Sequence, residues 1–434
     1  MIDSEQSSEE DTFRRSGDEM SARPTTTGIE APPAGDREAQ HAYYAALRDR
    51  GEVLWDEGRR AWLVVSHRMA KELARREEKS VRSAMAFRRE RFLGMDWDTY
   101  AWYQGGHRRI NLLTGEEHQR VHRWWMSVFT PKVIDTWRAD VIRPVVHAQI
   151  GRLGRTGRTE LGLLADGVHI RIIAGTVGMP WTDDAWMERW ERLSEANQRV
   201  KWYMSEASVP EEIVQAGLEA SAEIRDELLT WVRHHCGGTG DSLLEMMWRD
   251  FPSLLEDVTE EDVLANLKPS FETNSTRAVI RNALHTVASR PDLRDGLAEG
   301  TVDASLFVEE VFRLHSGFVP PRVALEDFEL GGALIRAGET IVAVAGSANI
   351  DPERFPDAEA FRPERHGIRD HFLFNQGKRS CPGQALGRAE IEETVLCTIA
   401  RLPRLRLDPD AEPPRFSVVG NDARWAPLHV LYDV

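Results

Sequence analysis

The stretch Phe374-Asn375-Gln376-Gly377-Lys378-Arg379-Ser380-Cys381-Pro382-Gly383 holds one cysteine in a setting that would make and keep a thiolate. Downstream, Leu386, Ala389, Val395, Leu396 and Ile399 fall at the spacing of one buried face of an amphipathic helix. Pro382 suits the first helical position, where its missing N–H and fixed φ cost nothing, so Cys381 is expected at the cap. The dipole and free amides of a helix N-terminus favour an anion, so they are expected to lower the thiol pKa and make the sulfur a better metal ligand. Gly377 and Gly383 suit tight turns or the close approach of a flat ring, and Arg379 offers a fork of donors to a carboxylate. A buried core cysteine, the usual state of a free thiol, requires none of these neighbours. Cys236 and Cys397 lack them and are read as core cysteines.

The segment matches F-x-x-G-x-R-x-C-x-G at every fixed position, and in this it resembles the haem-binding signature of the cytochrome P-450 family. Glu310-Val311-Phe312-Arg313 resembles the family's E-x-x-R, and Phe361-Arg362-Pro363-Glu364-Arg365 its F-x-P-x-R. Ala348-Asn349-Ile350-Asp351-Pro352 stands where bacterial members commonly have A-N-R-D-P, and the similarity runs from about Ala42 to the C-terminus. The resemblance implies a mainly α fold with small β-sheets, the cytochrome P-450 fold. It also implies haem b (iron protoporphyrin IX) with Cys381 as the axial ligand of its iron, Phe374 and Gly383 beside the cofactor, and an ion-pair triad of Glu310, Arg313 and Arg365.

The rest of the chain agrees with that reading. It has 434 residues, and no linker or shift of composition divides it after the first few dozen positions, so a single domain over 36–434 is expected. Residues 1–35, rich in Ser, Glu, Asp, Thr and Pro, are expected to form a disordered tail, because they bury too little apolar surface to offset the entropy of ordering. After the tail the pattern is mostly helical, with strand-like pieces at Ala61–Val65 and Ile341–Val344, and Pro131, Pro180, Pro210 and Pro291 mark helix ends. With a mean hydropathy of -0.45 and no apolar run near the ~20 residues needed to span a bilayer, a cytoplasmic monomer is expected. Three cysteines agree with a reducing compartment, and a net charge of -16 disfavours nucleic acid and anionic membrane as partners.

Buried propionates need cationic partners. The resemblance points to Arg379, to Arg322 after Pro320-Pro321, and to the segment Glu117–Arg123, where His118 and His122 lie one turn apart and His122 replaces the family's usual arginine. Two histidines at that spacing can also ligate zinc, although no third ligand is apparent nearby. The resemblance further implies one long helix, about Asp262 to Ser289, over the distal face of the haem. Aligned on Asn282-Ala283-Leu284, Pro291 and Glu310, it puts Ser275 in place of the catalytic threonine, Asn274 in place of the acid, Glu272 in place of a groove glycine, and Thr276 beside them. Ser275 keeps a hydroxyl for proton delivery through ordered water. Asn274 cannot carry a proton, whereas Glu272 can, or can anchor a cationic group of the substrate. The alternatives are that Glu272 faces a salt bridge or solvent, or that a register two residues different makes Glu272-Thr273 the acid–alcohol pair.

Phe271, Phe318 and Val319 are the pocket positions that the resemblance implies. The aromatics between Phe87 and Arg109 either line the pocket or pack their own loop. With no Cys cluster for an iron–sulfur centre and no fused flavin or nicotinamide domain, electrons are expected from a separate reductase system, and the resemblance implies a ferredoxin and its reductase, docking on Arg120, Arg123, Lys132, Lys378 and Arg388. The expected activity is monooxygenation of a small organic molecule in bacterial specialised metabolism: hydroxylation, ring coupling, dealkylation or desaturation. Peroxide-driven oxidation, or a non-catalytic haem scaffold or sensor, are the alternatives.

Overall fold

In the computed structural model, residues 24–30, 35–87, 93–154, 156–203, 208–271, 274–317, 319–419 and 422–434 are described. Strands β1 (Val53–Asp56), β2 (Ala61–Val64), β3 (Val81–Ser83), β4 (Arg322–Ala324) and β5 (Thr340–Ala343) form a sheet in the order β1-β2-β5-β4-β3. β2 is buried at all four residues, the pattern of a strand covered on both faces, and it pairs parallel with β5. β1 and β2 form an antiparallel hairpin with Val53 opposite Val64.

The N-terminal boundary differs from the expected one. The Trp55 N–H donates to the Pro24 carbonyl (2.7 Å) and the Thr26 N–H to the Trp55 carbonyl (3.0 Å), so residues 24–30 run beside β1, with Ile29 against the core. Pairing with a strand edge uses backbone groups, which a reading from apolar content does not weigh. The rest of the expected tail, 1–23 and 31–34, lies outside the described residues.

The helices that build the site are α1 (Arg37–Arg50), α2 (His67–Arg75), α3 (Gly115–Val128), α4 (Gly162–Val177), α5 (Asp184–Arg199), α6 (Glu211–His234), α7 (Glu260–Phe271), α8 (Asn274–Ser289), α9 (Ala304–Leu314) and α10 (Gln384–Arg401). Their starts follow local chemistry. Ser66, Asp183 and Asp303 accept from the first-turn amides of α2, α5 and α9, each such cap contributing about 1 kcal/mol. Pro210 precedes α6, and Pro180 follows α4. α7 and α8 cover the long helix expected over Asp262–Ser289, with residues 272–273 between them outside the described set. Inside α7, Pro269 has no N–H to give to the carbonyl one turn earlier, and its ring crowds that turn.

α10 buries more than the one face its apolar spacing suggests. Glu390, Glu393, Thr394 and Thr398 are buried along with Leu386, Ala389, Val395 and Ile399, because α8, α9 and the helix Arg143–Arg152 surround it. Asn282 of α8 ties the hairpin of β6 (Arg415–Val419) and β7 (Asp422–Ala426) to the same core, donating to the Ala423 carbonyl (2.6 Å) and accepting from the Trp425 N–H (3.0 Å). Among the described residues no helix is long and apolar enough to cross a membrane.

Candidate functional site

A cavity of about 410 Å³ is bordered by α3, α4, α7, α8 and the loop that precedes α10. That loop is held by its own backbone. The Cys381 N–H donates to the Phe374 carbonyl (2.7 Å), the Ser380 N–H to the Gly377 carbonyl (3.1 Å), and the Asn375 amide to the Arg379 carbonyl (3.1 Å). Gly377 turns the chain at φ +74°, and a Cβ there would lie 3.0 Å from the Ala74 carbonyl of α2, so both its conformation and its neighbour require glycine. From α3, His122 Nε2 donates to the Ser380 carbonyl at 2.8 Å. Phe374 packs edge-on against Phe312 (4.8 Å) beneath the Arg388 guanidinium (4.9 Å).

Cys381 and Gly383 both face this cavity. Cys381 is not the helix cap. α10 begins at Gln384, its N-cap is Gly383, and Cys381 lies two residues further upstream. The direction of the thiol pKa is also opposite to the expected one: burial pushes it up, outweighing the Gly383 amide and the Arg388 charge, which act the other way. The surface that Cys381 exposes faces the cavity, where the thiolate is poorly solvated. A bound metal cation reverses that balance, because it deprotonates the thiol that coordinates it.

Arg322 and Arg379 border the same cavity, and one carboxylate joins them. Arg322 Nε donates to Glu77 at 2.8 Å and Arg379 Nε to Glu77 at 2.9 Å, with Glu77 only 1% exposed. Arg322 Nη2 reaches the Asn375 side chain (3.0 Å), while Arg379 Nη2 reaches Glu78 (2.7 Å) and the Leu113 carbonyl (2.9 Å). His118 stacks on His122 with ring centres 5.5 Å apart. Burial first, then the Arg379 charge, drive the His118 pKa down to about 3, so its ring is neutral at pH 7. Among the described residues no group of three or more His, Cys, Asp or Glu side chains could hold a metal ion, which leaves the zinc alternative without a third ligand.

Ser275 and Thr276, at the start of α8, line the cavity, as does Val319. Glu272, Thr273 and Phe318 lie outside the described residues, and so does the side chain of Asn274. Phe271 is not a pocket residue. It is 2% exposed, stacks on Trp190 of α5 at 5.0 Å, and its carbonyl accepts from the Ser194 hydroxyl (2.9 Å). Ser270 and Pro269, one and two positions earlier, take the cavity face instead. Between Phe87 and Arg109, Tyr100 and Tyr103 are fully buried in a separate core with Val200 and Val323, so these aromatics pack their loop. The polar residues Gln104 and Arg109 border the cavity there, with Gln198 from the last turn of α5 and Lys201 just after it. A stretch scanned for aromatics hides them, since the two segments are brought together by tertiary contacts such as the Tyr103 hydroxyl bond to the Asn197 carbonyl (2.5 Å) and the packing of Val200 on Tyr103.

Away from the cavity, Arg313 donates twice to Glu310 (2.7 Å each) and once to the Asn349 carbonyl (2.7 Å), and Arg365 Nε reaches Glu310 at 3.4 Å. Arg388, expected on a surface patch, is committed to Glu309 (2.5 Å). Burial alone would raise the Glu309 pKa, but hydrogen bonds from His371 and Arg388 hold it at about 2.

The donor set fits haem. The Cys381 thiol borders the cavity with the apolar Phe374, Leu386 and Val279, and the Arg322 and Arg379 guanidiniums and the neutral His118 imidazole border it too, where carboxylates could be met. The cytochrome P450 family model matches residues 304–418. The chain is 29% identical over 401 residues to cytochrome P450-SOY of Streptomyces griseus, covering 87% of this chain and 86% of that one. It is 28% identical over 300 residues to the mycinamicin IV hydroxylase/epoxidase of Micromonospora griseorubida, covering 67% and 71%. Among solved structures, it is similar to an epothilone B-bound cytochrome P450 with a TM-score of 0.79 at 20% identity, over 93% of this chain and 100% of the other. Signature, cavity and likenesses agree in supporting a bacterial cytochrome P450, a haem-thiolate monooxygenase whose cofactor is haem b.

Proposed function

We propose that residues 36–434 form one haem domain in which Cys381 holds the iron, and that it oxidises a small organic molecule of specialised metabolism with dioxygen and electrons from a separate ferredoxin and reductase. The observation that carries this reading is that the Cys381 thiol and the hydroxyls of Ser275 and Thr276, more than a hundred residues apart in sequence, border one cavity. Bound haem supplies the activation of dioxygen. The protein supplies everything around it. Arg322, Arg379 and neutral His118 would meet the propionates, and His122 steadies the ligand loop through Ser380. The Ser275 hydroxyl both donates and accepts, so it can pass a proton through water at its Oγ, with Thr276 beside it. The Asn274 amide cannot release a proton, which leaves Glu272 as the acid of the relay or the anchor of a cationic substrate group.

Likeness to a mycinamicin hydroxylase/epoxidase favours hydroxylation or epoxidation as the outcome. The cavity's amide and cationic side chains, Gln104, Gln198 and Lys201, favour a substrate that carries polar groups. With Arg388 neutralised by Glu309, the donor would dock on Arg120, Arg123, Lys132 and Lys378. The deciding experiment is the spectrum of the reduced protein under carbon monoxide. The purified chain is expected to show the far-red-shifted Soret band of a thiolate-bound haem and Cys381→Ala to lack it, and a wild-type protein without that band overturns the assignment. Glu272→Gln is expected to reduce coupling of electron use to product or to abolish the spectral response to a basic substrate, and unchanged values in both would remove Glu272 from the mechanism.

A further inference from the structure

Glu77 is a buried charge beside the cavity that the activity as derived above does not use. It lies in the turn after α2, the segment whose Ala74 carbonyl the Cys381 loop packs against at Gly377. Its two carboxylate oxygens are divided between two guanidiniums, Oε2 taking Arg322 Nε at 2.8 Å and Oε1 taking Arg379 Nε at 2.9 Å, and all three residues border the cavity. The neighbouring Glu78 does not change the count, since Arg82 balances it at 3.3 Å. His118, held neutral, adds no charge. Within this cluster two positive charges and one negative therefore leave one positive charge for the propionates it would meet.

We infer that Glu77 is a positioning residue that takes one positive charge away from the Arg322–Arg379 pair, competing with the propionates for these two arginines and holding the iron in its ferric state. This rests on the assignment of Cys381 as the iron ligand. Its physical basis is that a buried negative charge close to the haem is weakly screened and opposes the arrival of an electron, while each guanidinium donor used by Glu77 is one fewer for a propionate. Among the levers by which a protein sets the potential of a haem, this is charge and hydrogen bonding outside the ligand itself.

The test uses the haem-loaded protein, with potentiometric titration and haem transfer to apomyoglobin as readouts, on wild type, Glu77→Gln and Glu77→Asp. Glu77→Gln keeps the shape and removes the charge. Its reduction potential is expected to rise, and its haem transfer to slow about tenfold, the scale of one charge-assisted hydrogen bond. Glu77→Asp keeps the charge and is expected to stay within about twofold of wild type in transfer, with an unchanged potential. A Glu77→Gln protein with wild-type or lower potential overturns the inference, and so does one that sheds haem faster or cannot hold it, because Glu77 would then only brace the arginines. The carbon monoxide spectrum separates the two levels: a wild type without the far-red Soret band defeats the ligand assignment, whereas a normal band with an unmoved potential in Glu77→Gln defeats this inference alone.

Discussion

Two buried carboxylates in this molecule are each held by two arginines, and the two clusters teach different things. Glu310 with Arg313 and Arg365 is closed: the guanidinium donors of Arg313 that Glu310 does not take go to the Asn349 and Ala360 carbonyls, and the Arg362 N–H completes Glu310 at 2.9 Å. Glu77 with Arg322 and Arg379 is open, because all three side chains border the cavity. The first cluster joins α9 to the segment that ends at Arg365 and fixes the frame. The second has the same stoichiometry and burial, yet it stands where a ligand can compete for the same donors. Equal ion-pair chemistry thus gives a structural clamp in one place and an adjustable site in the other, and what separates them is access to a ligand.

The largest expected effect breaks the closed cluster. Arg313→Ala removes both 2.7 Å bonds to the fully buried Glu310 and leaves it Arg365 at 3.4 Å and the Arg362 N–H, a change that costs roughly 3–5 kcal/mol, and thermal unfolding should show a steep fall in Tm or loss of folded protein. A near-normal Tm would mean the cluster is not the clamp described. Arg379→Ala should cost less, roughly 1.5–3 kcal/mol, because Glu77 retains Arg322 and Glu78 retains Arg82. The sharper signature there is haem occupancy, read from the ratio of Soret to protein absorbance and expected to fall while the fold persists.

Acid titration gives the next effect. His118 has its folded pKa lowered to about 3, below the usual 6.5. Below pH 6.5 the unfolded chain therefore binds a proton that the folded one refuses, so this residue's share of stability is intact above 6.5 and is lost as pH falls toward 3. Between pH 6.5 and 5 the loss is about 2 kcal/mol. Denaturant unfolding of the haem-free chain should show His118→Gln with a shallower pH slope in that window, and identical slopes would place the ring in solvent or in contact with a negative charge. The smallest effect lies on the surface. Arg189 and Glu223 are paired at 3.0 Å but are 43% and 54% exposed, so Arg189→Ala should change stability by no more than about 0.5 kcal/mol, and a larger shift in the denaturation midpoint would show that exposure alone does not grade these pairs.

The two clusters also differ in how readable they were. Glu310 and Arg313 are three residues apart on one helix, a spacing that places side chains on the same face whatever packs around them. Glu77 is 302 residues from Arg379 and 245 from Arg322, and no spacing rule relates them. The same division runs through the cavity. The Cys381 loop could be read because its turns, its glycine at 377 and its cysteine lie within ten residues. Phe271 could not, because a rotation of one position along α7 decides between Trp190 and the cavity, and that rotation is set by α5.

What the amino-acid order determined by itself was local: the ligand loop, the helix starts at Ser66, Asp183 and Asp303, the buried strand Ala61–Val64, and the pairing of Glu310 with Arg313. Backbone turns, caps and residues one turn apart interact within a few residues of chain, so their outcome is written there. Only the tertiary structure decided which charges border the cavity, that Gln104 and Arg109 rather than the loop tyrosines face it, and that the Cys381 thiol is pushed up rather than down. Those outcomes depend on desolvation, and how far a group is removed from water depends on segments that reach it from elsewhere in the chain.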